Sequence, residues 1–242
     1  MPDRAGTLEI LRDGAITILG RVIGSSNNAL LVTVACPGPE PIEELPAIYK
    51  PTAGERPLDD FPDGTLTRRE VAAWYVSEAS GWDIVPPTVL RDGPFGEGMV
   101  QAYVEPDPEV DVVELITTAD RRLRRMAVLD AAMNNTDRKG GHILPVDGGR
   151  HIHGVDHGVC FSTVPKLRTV LWAWRGQPLE ADEISGLRRI RDGLDGELGV
   201  DLRTLLGRTE VRATARRVDA LLSSERFPLP SPTWPAIPWP PF

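Results

Sequence analysis

Cysteine is scarce in this chain: 242 residues hold two, Cys36 and Cys160. Two thiols cannot build a disulfide framework, and neither stands in a C-x-x-C or Cys/His zinc spacing. A stapled secreted scaffold is thereby excluded, and a reducing compartment is expected. Long apolar runs are also missing. No stretch approaches the roughly 18 residues a membrane-spanning helix needs. The opening MPDRAGTLEILRDG has no apolar core of signal-peptide length, so a cytoplasmic location is expected. Positive charge is in deficit: 27 Lys and Arg face 35 Asp and Glu, for a formal net charge of -8. Nucleic acid is not expected as a partner, because phosphate backbones are held by Lys and Arg. The same deficit speaks, less strongly, against attraction to an anionic membrane. No internal repeat is present.

What is there suits a soluble globular protein. Hydrophobic residues make up 41% and charged residues 26%. The length suffices for one large domain or two small lobes sharing a cleft. The first third reads as strands: ITILG (16–20), ALLVTVA (29–35) and AIYK (47–50), the first two joined by a Gly/Ser/Asn segment. A helix is predicted from Thr67, a candidate N-cap with Glu70 three residues on, to a stop at Gly81. IVPPTVL and GEGMVQAYVEP then read as two more strands around a Gly/Pro turn. The second part is mainly helical. Helices are predicted over 111–118, 120–133, 180–194 and 201–222, with two short strands, HIL and HIHGV, between the second and third. The Pro- and Trp-rich stretch 229–242 cannot be a helix interior. It reads as an extended tail that packs over the surface or reaches a partner.

The strongest chemical signal is NNTDRKGGH followed by VDHG. Phosphoryl transfer needs a carboxylate near the attacking group, metal ligands bridging the phosphates and a cation on them. The protein-kinase catalytic loop H-R-D-x-x-x-x-N is followed by D-F-G. Here His142 follows Asp137 at the interval that separates that Asp from that Asn, and Asp156 opens Asp156-His157-Gly158 in the place of D-F-G. The intervening hairpin would return Asp156 beside Asp137 and His142. A polar loop with satisfied turn carboxylates is the plain alternative.

Asn135-Thr136-Asp137-Arg138 resembles the N-x-D-R catalytic loop of phosphoinositide 3-/4-kinases, and HipA-type kinases share a similar loop. Asp130 resembles the Asp that precedes this loop. The resemblance covers roughly residues 15–175. It implies that Asp137 orients or deprotonates an acceptor hydroxyl and that Asp156 binds metal. His142 stands where the family has a metal-binding Asn, and imidazole suits Mn or Zn better than Mg. Lys50 looks like the phosphate-contacting Lys of the third strand and Glu70 like its helix partner, although a strand-end Lys and a capping Glu are common. Gly24, Ser25 and Ser26 would form the phosphate loop, or an ordinary hairpin turn. Gln101, Ala102, Tyr103 and Val104 fall where a hinge would hold adenine between apolar walls such as Ile48 and Val155; a buried connecting strand is the alternative. His151 and His153 share a strand face and read as hydrogen-bonded rather than metal-binding. Arg121, Arg122, Arg124 and Arg125 read as a solvated helix face, with docking of an acidic substrate the alternative. Trp172 and Trp174 are expected in the core of the helical lobe, with a place at the border of a substrate site the alternative.

The expected fold is α+β: a two-lobed, protein-kinase-like molecule. Residues 1–105 make an N-lobe of antiparallel sheet and one helix, residues 106–228 a mainly helical C-lobe, and 229–242 the tail. The expected function is ATP- and Mg- or Mn-dependent transfer of phosphate to a hydroxyl on an unknown lipid, protein or small molecule. The rivals are a pseudokinase scaffold, with the tail as a docking arm to a protein partner, and a kinase fold that transfers AMP.

Overall fold

In a computed structural model of the chain, residues 3–22, 28–36 and 44–242 are described. The predicted strands form one antiparallel sheet of β1 (Ala15–Arg21), β2 (Leu30–Ala35), β3 (Glu44–Pro51), β4 (Thr88–Gly93) and β5 (Gly96–Ala102), in the order β1-β2-β3-β5-β4. The segment 84–87 stays out of β4, since Pro86 and Pro87 have no N–H to give a ladder. Strand periodicity sorts the side chains of β3. Leu45, Ala47 and Tyr49 point into a small core with Leu11, Val32, Val34, Val89 and Val100, while Ile48 and Lys50 face the other way.

Helix α1 (Arg4–Asp13), not anticipated from the sequence, lies against that sheet. Its apolar face is short: Leu11 is fully buried, and Leu8 and Ile10 pack partly buried against the same core. Helix α2 (Leu66–Ser80) starts one residue before the expected N-cap. Thr67 does not cap it. The Glu55 carboxylate accepts from the Leu66 and Thr67 N–H groups at 3.0 and 2.7 Å, which leaves Glu70 for another role. Most of α2 is buried because it packs against β4 and β5 on one side and against α5 (Ala181–Asp195) and α6 (Glu197–Leu205) on the other. Its Val71 is buried, and its Ala72, Ala73, Trp74 and Val76 belong to the larger core of the helical part.

That part contains α3 (Val112–Thr117), α4 (Arg124–Met133), the hairpin β6 (Ile143–Val146) and β7 (His151–Gly154), then α5, α6 and α7 (Arg208–Ser224). Asn134 ends α4 in the left-handed conformation, as the Asn-Asn stop predicts. The expected helix 201–222 is two helices broken at Leu206–Gly207. Trp174 is buried against Phe227, as expected of a core residue. Trp172 instead donates its indole N–H to the Ala236 carbonyl in the tail. The arginine run is partly solvated, as expected, with Arg121 and Arg125 exposed and Arg124 buried, and all four are held in ion pairs. Arg121, Arg124 and Arg125 pair with Glu180, Glu183 and Asp182 around the start of α5, and Arg122 pairs with Asp120.

Candidate active site

Between the sheet and the β6–β7 hairpin lies a cleft of about 460 Å³. Ile48 lines it from the sheet, Leu144 and Val155 from the hairpin side, and Gln101–Val104 from the connecting chain. Lys50, Asp137, Lys139, His142 and Asp156 line it as well. The cleft therefore brings together seven of the eleven site residues expected from the sequence, and Glu70, the eighth, sits directly behind them. Gly24, Ser25 and Ser26 lie outside the described residues, although Val22 and Ala29 on either side of that loop line the cleft.

Lys50, at the end of β3, is the hub. Its Nζ donates to Glu70 Oε1 at 2.6 Å and to Asp156 Oδ1 at 2.9 Å. Glu70 is buried, and its second oxygen accepts the His157 backbone N–H at 2.7 Å. Glu70 is thus a clamp joining β3, α2 and the Asp156 loop. Burial would push the Lys50 ammonium down, but the Asp156 and Glu70 carboxylates outweigh it and hold the ammonium above its usual value. The Lys50 charge is the main cause that drops Asp156 below the carboxylate range; burial opposes it and His142 helps. For Glu70, burial wins over the Lys50 attraction and raises the carboxyl.

Asp156 has φ +61°, left-handed backbone that few residues other than Gly, Asn and Asp adopt. The turn leaves Oδ2 3.2 Å from His142 Nε2. Two donors sharing one octahedral coordination sphere at about 2.1 Å from a divalent ion stand roughly 3 Å apart, so this pair fits a metal. Burial holds His142 below its usual value, keeping the imidazole neutral with a lone pair for an ion.

A wholly buried network carries the polar loop. Arg138 donates Nε and Nη2 to the two oxygens of Asp130, both at 2.9 Å. Its Nη1 reaches the Val155 and His142 carbonyls, and its Nη2 lies 2.6 Å from His157 Nε2. Asn135 donates to Asp130 Oδ1 at 2.9 Å and accepts the Asp137 N–H at 3.0 Å. One guanidinium thus fixes the loop of Asp137 against the loop of Asp156.

Sequence reasoning gave no role to Lys139, whose Nζ lies 3.2 Å from Asp137 Oδ2 at the cleft edge. Its position two residues after Asp137, in a loop otherwise poor in cations, is the signal that could have found it. The hinge differs in detail from expectation. Ala102 and Tyr103 already donate their N–H groups to the Pro87 and Pro46 carbonyls, and the Gln101 side chain donates to Thr88. His151 and His153 donate to the Asp83 and Ile84 carbonyls at 2.7 and 3.2 Å, tying β7 to the segment after α2.

No family model matches the sequence. Protein Rv2133c of Mycobacterium tuberculosis is 40% identical, in an alignment covering 96% of this chain and 94% of that protein. Among solved structures, the Helicobacter pylori proinflammatory kinase CtkA overlaps 90% of this chain and 94% of its own at 13% identity, with a TM-score of 0.54. The Rio2 kinase of Chaetomium thermophilum overlaps 89% of this chain and 68% of its own, with a TM-score of 0.37. The CtkA likeness shows a kinase-like fold, in agreement with the α+β, two-lobed expectation.

Proposed function

The chain belongs to the family of Protein Rv2133c, and we propose that it is an atypical kinase that binds ATP with a divalent cation and transfers phosphate to a hydroxyl acceptor. One observation carries this reading. Lys50, Glu70, Asp156 and His142 form a single connected chain of contacts at the base of a cleft of nucleotide size. The Asn135–Arg138 loop further supports a place beside the phosphoinositide 3-/4-kinases.

In this reading Lys50 is held charged and aimed by Glu70, so it meets phosphate oxygens without moving. Asp156 and His142 would hold the metal, which when bound neutralises phosphate charge. Asp137 is positioned by Asn135 to receive the proton of the acceptor hydroxyl. Lys139 beside it supplies positive charge where the transferred group arrives. Ile48, Leu144 and Val155 supply the apolar walls for adenine. Since Ala102 and Tyr103 have spent their N–H groups, Val104, the next residue lining the cleft, is assigned the adenine contact.

Calorimetry of ATP binding with Mg and with Mn tests this on the wild type and Asp156→Ala. Metal-dependent binding that disappears in the variant supports the site. No binding with either metal by folded wild type refutes it. Mass spectrometry of the product then separates a gain of phosphate from a gain of AMP.

A further inference from the structure

The tail is built onto the candidate site. The Ala236 carbonyl accepts both the Thr169 N–H at 3.0 Å and the Trp172 indole at 2.8 Å. Lys166 Nζ, which also pairs with Asp60, lies 4.4 Å from the Trp234 ring centroid. Further along, the Pro241 carbonyl accepts the Gly140 N–H at 2.8 Å. Gly140 belongs to the loop between Asp137 and His142. The tail is therefore fixed at three places, the last of them in the Asp137–His142 loop, and Pro240 and Phe242 come to line the cleft beside Asp137 and His142.

Gly140 shows that this seat is specific. A Cβ there would fall 2.2 Å from the Phe242 ring. Its φ is not among the positive values that demand glycine. What glycine supplies at 140 is room for the ring. Phe242 nevertheless stays 56% exposed, so a large apolar face borders the open cleft.

Such a segment is either a plug or a wall. The volume decides: about 460 Å³ remains open with the tail in place. Small-molecule sites run from about 300 to 1,000 Å³, and a plug would leave no such space. We propose that Pro240 and Phe242 form a wall of the nucleotide site, covering the apolar surface of a bound purine nucleoside triphosphate. This rests on the nucleotide reading above.

The test is MnATP affinity by calorimetry on the full chain, Phe242→Ala, Phe242→Leu and Gly140→Ala. Loss of an aromatic face that the nucleotide would cover predicts about tenfold weaker binding for Phe242→Ala, with Phe242→Leu between it and wild type. Gly140→Ala, which keeps the ring but displaces it, is expected to match Phe242→Ala. Because coupling is reciprocal, saturating MnATP is also expected to slow proteolytic removal of the tail from wild type. Phe242→Ala alters one exposed side chain, so an unchanged circular dichroism spectrum keeps the result readable if Gly140→Ala misfolds. Equal affinities in all variants overturn the wall while leaving the nucleotide reading intact. Tighter binding by Phe242→Ala, or faster tail cleavage with nucleotide, overturns it in favour of a plug. Absence of binding by wild type overturns both readings together.

Discussion

Arg138 Nη2 lies 2.6 Å from His157 Nε2, with both side chains fully buried. Guanidinium can only donate, so this imidazole nitrogen accepts and His157 is neutral. Burial, and then the Arg138 charge, push its titration well below the usual value. In the unfolded chain the same imidazole takes a proton near pH 6.5. Below that pH the unfolded state binds more protons than the native one, so stability falls as pH falls. His142 and His153 are shifted in the same direction, chiefly by burial. The slope approaches about 1.4 kcal/mol per pH unit for each such histidine. Glu70, whose carboxyl is raised, pulls the other way toward pH 5. Urea unfolding of metal-free protein between pH 7.5 and 5.5 is expected to show declining stability, with a shallower decline in His157→Gln. A flat wild-type profile would contradict this account.

The Asp130–Arg138 pair makes a sharper stability prediction. Both side chains are wholly buried. Removing one partner strands a charge in the interior, at a cost of about 3–5 kcal/mol. Arg138→Met is therefore expected to lower the urea midpoint severely. Asp130→Asn/Arg138→Met, which removes both charges, is expected to recover part of the loss. If the double variant is no more stable than Arg138→Met, the pair is not the source of the effect.

These two residues also show how far the sequence could be read. Asp137, His142 and Asp156 were legible because their spacing is local: one loop and one hairpin bring them together. Lys50 and Glu70 were legible only as a strand end and a helix start whose separation permits contact, and β3 against α2 makes that contact. Helix α1 was not anticipated, since Leu8, Ile10 and Leu11 within ten residues leave only a short periodic signal among polar neighbours. Arg138 was visible in the loop, but its role depends on Asp130, Val155 and His157 converging through tertiary packing. The arginine run at the start of α4 read as solvated, which its exposed members are, but the partners of Arg121, Arg124 and Arg125 lie some 57–59 residues away at α5 and so were not visible. The tail forms no helix, while its seat on Gly140 could not be seen in composition.

Asp137 and Asp156 should separate by kinetics. Asp137 lines the cleft but makes no contact with Lys50 in the ion-pair chain. Asp137→Asn is expected to leave MnATP affinity within about threefold of wild type while lowering turnover about 10²-fold or more, as for loss of a general base. Single-turnover measurement with radiolabelled ATP checks it. A large loss of affinity in Asp137→Asn would place that carboxylate with the nucleotide rather than with the acceptor.

If Asp156 and His142 hold a metal, as proposed, the imidazole should set which metal is preferred. Its Nε2 stands 3.2 Å from Asp156 Oδ2, so these residues would offer a metal one carboxylate and one imidazole donor. Mg is a hard ion that prefers oxygen and keeps its waters, whereas Mn accepts imidazole more readily. Wild type is therefore expected to bind ATP more tightly with Mn than with Mg. His142→Asn replaces the nitrogen donor by an amide oxygen at the same loop position. It is expected to shift the Mn-to-Mg affinity ratio toward Mg by about tenfold, the scale on which ligand-sphere changes act. Calorimetry with each metal reads the ratio directly, and the ratio cancels any general loss of affinity caused by the substitution. An unchanged ratio would remove His142 from the metal's coordination sphere and leave Asp156 to hold the ion with the phosphates alone.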